Sequence, residues 1–191
     1  MHATFRTDVL QNRNNAQIIE RWGALNLPDG WLVAGCLFQT VWNVLSGQPP
    51  ESKIKDYDLF YFDPTDLSEA AESAVQRHVE SVLADLSITV EVANQARVHL
   101  WYEQYFGYPY AALSSAREGI DHFLIPGTCV GVNPAEVYAP NGLELLYKGI
   151  LTPNPLKPHK SLFAEKAASY QQRWPWLSID PNEPPLHEFK A

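Results

Sequence analysis

The run Lys55-Asp56-Tyr57-Asp58-Leu59-Phe60-Tyr61-Phe62-Asp63 constrains this chain more than any other stretch. Aromatic β-formers crowd it and Pro64 closes it, so it reads as a strand. Residues i and i+2 of a strand share a face. Asp56 and Asp58 therefore point the same way, close enough to share one cation. Two adjacent carboxylates repel and hold their protons more tightly unless something positive sits between them. A hard divalent ion with oxygen ligands resolves that conflict. The plain alternative is a pair of charged residues on a frayed strand end. Asp63 has the opposite parity and falls to the turn that follows, and Lys55 faces away from Asp56 as a surface residue.

The segments on either side of this run read as alternating helices and strands. Residues 7–25 carry an imperfect helical stripe of Val9, Leu10, Ile18, Ile19, Trp22 and Leu25, weakened by the asparagines at 12, 14 and 15. Leu27-Pro28-Asp29-Gly30 is a turn. Trp31-Leu32-Val33-Ala34 reads as a short buried strand, followed by Gly35-Cys36 and a helix over 37–45. A strand, a glycine and a helix start in succession allow close backbone approach and offer unpaired N–H groups at the positive end of a helix dipole. That suits phosphate, although ordinary strand–helix packing also wants a small residue there.

After Pro64, Asp66 with Glu69 three residues on announces a helix whose apolar positions run from Leu67 to Leu86. Residues 87–92 alternate as a strand, and Glu91 points to the face opposite its flanking valines. Residues 94–102 are dense in hydrogen-bonding groups, and 102–110 are aromatic. Further helices are expected over 113–123, 143–150 and 161–174. Strands are expected over 128–132 and 137–139. Pro175, Pro181, Pro184 and Pro185 predict an extended tail, draped over the body by Trp176, Leu177 and Phe189. The expected organisation is one domain over 1–155, with a C-terminal helix and proline-rich tail over 156–191 packed on it.

Composition narrows the function. With 191 residues, 46% of them hydrophobic, the chain can bury a real core. A net charge of −8 argues against duplex nucleic acid and against an anionic membrane surface. No run is long and apolar enough to span a bilayer, and the N-terminus has no apolar signal core. Cys36 and Cys129 form no CxxC pattern, so neither a zinc site nor a disulfide framework is indicated. The expected setting is the cytoplasm.

Gly35-Cys36 opening a helix, Asp56-Tyr57-Asp58-Leu59 on the next strand and Glu91 within Val90-Glu91-Val92 together resemble the DNA polymerase β-like nucleotidyltransferase superfamily. Asp56 to Asp63, Asn94-Gln95-Ala96-Arg97-Val98-His99-Leu100-Trp101 and Tyr138-Ala139-Pro140-Asn141-Gly142 resemble, more closely, a bacterial family of small nucleotidyltransferases. The second resemblance covers about residues 31–154. It implies an α+β fold, a mixed β-sheet flanked by α-helices. It also implies transfer of an NMP group from an NTP to an unidentified acceptor. Asp56 and Asp58 would bind one or two Mg²⁺ ions, or Mn²⁺ in their place. Glu91 would complete the site as a metal ligand or by activating the attacking hydroxyl. Backbone N–H groups of Gly35 and Cys36 would cradle phosphate.

Two departures stand out. The superfamily usually has serine where this chain has Cys36, and a thiol is a weak donor to phosphate. The loop over 46–54 lengthens the gap between Gly35 and Asp56. Either change fits an altered nucleotide pocket, or a non-catalytic nucleotide-binding module on the same fold. A metal-dependent phosphohydrolase would want more His and Asp ligands than this chain offers.

Arg97, which shares a face with Glu91, Ala93 and Gln95 if that strand continues, is a candidate nucleotide clamp, since its planar fork matches phosphate, and equally a candidate for pairing with a nearby carboxylate. Asn94 could orient a carboxylate or a ribose. His99 reads more readily as a partly buried structural histidine than as a base. Tyr102, Tyr105, Phe106, Tyr108 and Tyr110 could stack a base, with core packing as their default role. Nothing local activates Cys36 as a nucleophile.

Overall fold

The computed structural model describes residues 1–157 and 159–180. The expected helix over 7–25 is three helices: α1 (His2–Val9), α2 (Arg13–Glu20) and α3 (Trp22–Leu25). Asn12 makes the first break. Its side-chain oxygen accepts from the backbone N–H groups of Asn14 and Asn15, ending one helix and capping the next. Asn26, left-handed at φ 52°, ends α3.

Strand β1 (Trp31–Val33) is buried at every position, as its unbroken apolar run requires. Helix α4 (Gly35–Leu45) follows directly. Strand β2 (Tyr57–Tyr61) alternates buried and half-buried residues. Helix α5 (Glu69–Val82) is capped by Ser68, not by Asp66. The Asp66 side chain instead accepts from the Ser68 N–H, a local turn that delays the helix. Strand β3 (Val90–Asn94) then gives way to a 3₁₀ segment, Gln95–Leu100.

The short helices α6 (Tyr102–Phe106) and α7 (Ala116–Asp121) precede strands β4 (Gly131–Val132) and β5 (Val137–Tyr138). Helix α8 (Glu144–Lys148), strand β6 (Ile150–Leu151), helix α9 (Lys160–Arg173) and strand β7 (Ser178–Ile179) complete the described chain. β6 and β7 pair in parallel, so the segment after α9, expected to lie extended over the body, is also hydrogen-bonded to it. Pro181, Pro184, Pro185 and Phe189 lie outside the described residues.

The main sheet has the order β3-β2-β1-β4-β5. β2 runs parallel to β3 through the α5 crossover, and the remaining neighbours are antiparallel. This is the mixed sheet with helical flanks that the sequence implied.

One face buries Leu32, Leu59, Tyr57, Val90 and Val92 in the larger core, with Leu37, Val41 and Trp42 of α4. Trp42 touches Phe38, Tyr170 and Trp174 edge-on at centroid separations of 4.9, 5.2 and 5.2 Å, which locks α9 against α4. The other face holds a smaller core of Trp31, Val33, Ile120 and Cys129, with Phe60 and Phe123 packed against it. Asp58 has the parity of Phe60, so it emerges on this second face where the apolar cover stops.

Candidate active site

Asp56 and Asp58 line a cavity of about 410 Å³ together with Ala34, Gly35 and Gln39 from the start of α4. Lys166 and Tyr170 of α9 and Tyr102, Phe106 and Lys157 form its other walls. The topology explains the meeting. β1 and β2 are antiparallel, with Val33 paired to Asp58, so the end of β1 delivers Gly35 beside the first residues of β2. Ala34 makes the turn at φ 60°, ψ −138°, a conformation that L-residues rarely adopt. Gly35 itself has no positive φ. Its lack of a side chain serves close approach, because a Cβ there would meet Gln39 Nε2 at 2.7 Å. The other end of that amide is fixed, Gln39 Oε1 accepting from Arg173 Nη1 at 2.7 Å.

Burial pushes the Asp58 carboxyl up to about 7, reinforced by the charges of Asp56 and Glu91 and opposed by Lys166. This is the signature of a carboxylate short of positive charge. Glu91 pairs with Asp58 across the parallel strands, hence on the same face, but it is solvent-exposed and lies outside the cavity lining. Among the described residues, no three Asp, Glu, His or Cys side chains converge as a metal cluster. The residues present still fit a hard cation, since the donors are two carboxylates and Mg²⁺ characteristically takes one or two carboxylates and fills its remaining positions with phosphate and water.

Of the residues that the sequence singles out, Gly35, Asp56, Asp58, Tyr102 and Phe106 line this cavity, Glu91 stands beside Asp58 outside the lining, and Cys36, Asn94, Arg97 and His99 do not line it. The Cys36 thiol is fully buried on the core side and donates to the Val33 carbonyl at 3.1 Å. Burial, with the charge of Asp58 adding to it, pushes that thiol well up, so it is neither nucleophile nor phosphate donor.

Arg97 is buried and bonds to the Leu67 carbonyl and to Glu72, with Glu69 at 3.8 Å. The strand parity that would have turned it toward Glu91 ends where the 3₁₀ segment begins. The Asn94 side chain caps that segment and ties it to the backbone of Asp63. His99 does not line this cavity, and its Nδ1 has no hydrogen-bond partner among the described residues.

Sequence reasoning missed Gln39, Lys157 and Lys166. Lys166 could have been found as the residue one turn before Tyr170 on a helix known to pack inward. Lys157 had no local signal.

A glycine-opened helix beside paired carboxylates on a mixed sheet is the arrangement that the resemblance to nucleotidyltransferases implies. A family model described as nucleotidyltransferase matches residues 20–179, and the chain belongs to that family. Its span includes Gly35, both aspartates and Glu91. A solved NMR structure, described as revealing a CCA-adding enzyme head domain, is similar with a TM-score of 0.68. The two are 23% identical over 86% of this chain and 88% of that one, which establishes the shared fold. No curated protein matches. Among the described residues, no helix is long and apolar enough to cross a membrane.

Proposed function

We propose that this nucleotidyltransferase moves an NMP group from an NTP to a hydroxyl-bearing acceptor, with Mg²⁺ held by Asp56 and Asp58. One observation carries the reading: Asp58, half-buried beside Asp56 and raised to about 7, faces a cavity that opens on the start of α4. A site so short of positive charge favours a cation, and its all-oxygen donors suit Mg²⁺ or Mn²⁺. The bound ion would neutralise charge on the phosphate oxygens.

The chain's own groups do the rest. Gly35 admits the phosphate chain close to the backbone, where the first N–H groups of α4 have no intrahelical acceptor. Tyr102 and Phe106 line the part of the cavity where a base would lie. Glu91, exposed beside Asp58, takes the proton of the acceptor hydroxyl as its oxygen bonds to the α-phosphorus. The bond from that phosphorus to the bridging oxygen breaks, and pyrophosphate leaves. Positioning and electrostatics supply most of the rate in such a displacement.

The test is pyrophosphate release from each NTP with Mg²⁺ and fractionated acceptors. Release that Asp58→Asn lowers by about 100-fold or more supports the reading. No release with any NTP contradicts it.

A further inference from the structure

Lys157 is a cation with no anionic partner among the described residues. Its side chain is only 7% exposed. Its Nζ sits 4.1 Å from the Tyr102 ring centroid and 3.9 Å from that of Tyr110. Among the described residues, no carboxylate pairs with it and no oxygen accepts from its ammonium group. Aromatic faces attract a cation but do not take the place of an acceptor for three N–H donors. Burying a charge in this way is costly unless something pairs with it. Desolvation accordingly pulls its pKa down to about 8.

The cavities that Lys157 lines identify a partner for it. Lys157 lines the cavity of Asp56 and Asp58 and also a smaller one, of about 180 Å³, walled by Phe60, Trp101 and Phe123. It stands in the wall common to both. The same cavity carries two carboxylates, which repel any anion, and its second cation, Lys166, is on an exposed stretch of α9. A polyanionic ligand in this cavity therefore has one buried positive group to meet.

We infer that Lys157 binds the polyphosphate chain of the nucleotide, the Tyr102 and Tyr110 rings holding its ammonium group in place for a phosphate oxygen. The inference rests on reading the cavity as the nucleotide site. A phosphate oxygen supplies both the charge and the acceptor that the two rings lack.

The test uses inorganic triphosphate with Mg²⁺, titrated into the full chain with no nucleoside and no acceptor. Lys157→Met should weaken binding by about tenfold or more, while Lys157→Arg and Lys166→Met stay within about threefold of the unsubstituted protein. Lys157→Met should also melt no lower than the unsubstituted protein, since it removes an unpaired buried charge and keeps the apolar stem. A second readout needs no variant: acetylation of Lys157, followed by mass spectrometry, should be slowed about fivefold or more by triphosphate, as expected when a bound anion covers the amine and holds its proton.

Triphosphate binding unchanged in Lys157→Met, or acetylation unaffected by triphosphate, overturns the inference. Pyrophosphate release from NTP with Lys157-independent binding would sink this inference alone. Lys157-dependent binding without any release would sink the transfer reading and leave the anion site standing.

Discussion

Glu91 stands directly across from Asp58 in the parallel pairing of β2 with β3, so both carboxylates rise from one face of the sheet. Glu91 is exposed and Asp58 is half-buried. The difference matters because the half-buried carboxylate bears the cost: burial first, then Asp56 and Glu91, raise it to about 7. The residues that would serve a bound ion thus work against the fold when the ion is absent.

Asp58→Asn should therefore stabilise the metal-free protein, on the order of 2 kcal/mol at pH 8, because it removes an ionised carboxylate that the fold holds unfavourably. The same change should abolish any rise in melting temperature produced by Mg²⁺. Thermal unfolding with EDTA and with Mg²⁺ measures both effects.

Lys157 gives a pH dependence of defined sign. Its folded pKa, about 8, lies below the ordinary lysine value of 10.5. Between those values the unfolded chain binds the proton that the folded protein has lost, so stability rises with pH through that window. Below about 8 both states are protonated and the penalty is fully present. Lys157→Met should flatten this part of the stability profile, as followed by denaturant unfolding at a series of pH values.

Ala34 occupies a backbone conformation suited to glycine, at φ 60° and ψ −138°. Ala34→Gly should raise stability by about 1 kcal/mol by releasing that strain. The readout is the shift in denaturation midpoint.

Gly35→Ala should cost less in stability than in nucleotide binding. The new Cβ meets Gln39 Nε2 at 2.7 Å, and the amide can give way by loosening its bond to Arg173 at a cost of about 1 kcal/mol. The backbone surface left open for phosphate would be obstructed, raising the KM for NTP by about fivefold or more.

Arg97→Met should behave in the opposite way. Arg97 is buried against Glu72 and far from the cavity lining, so breaking the pair should cost about 3 kcal/mol while sparing activity per folded molecule.

What could be read from the sequence followed the strength of local patterns. β1, β2 and β3 were legible because apolar runs and alternation report burial directly, and Gly35, Asp56 and Asp58 inherited their positions from those strands. The break at Asn12 and the Ser68 cap were missed because side chain–backbone bonds competed with a plausible helix. β6 and β7 were missed because two residues carry no period. Arg97 was placed by strand parity beyond the point where the strand ends. Lys157, a lone lysine after Pro155-Leu156, becomes informative only when the fold brings Tyr102 and Tyr110 to it.

The central claim is that Asp56 and Asp58 hold the ion that supports nucleotidyl transfer. Its most direct measurement is Mg²⁺-dependent pyrophosphate release from NTPs, compared between the unsubstituted protein and Asp58→Asn. The account predicts release that needs Mg²⁺ or Mn²⁺, stops in EDTA and falls by about 100-fold or more in the variant. Release that persists in EDTA, or that Asp58→Asn leaves intact, would contradict it.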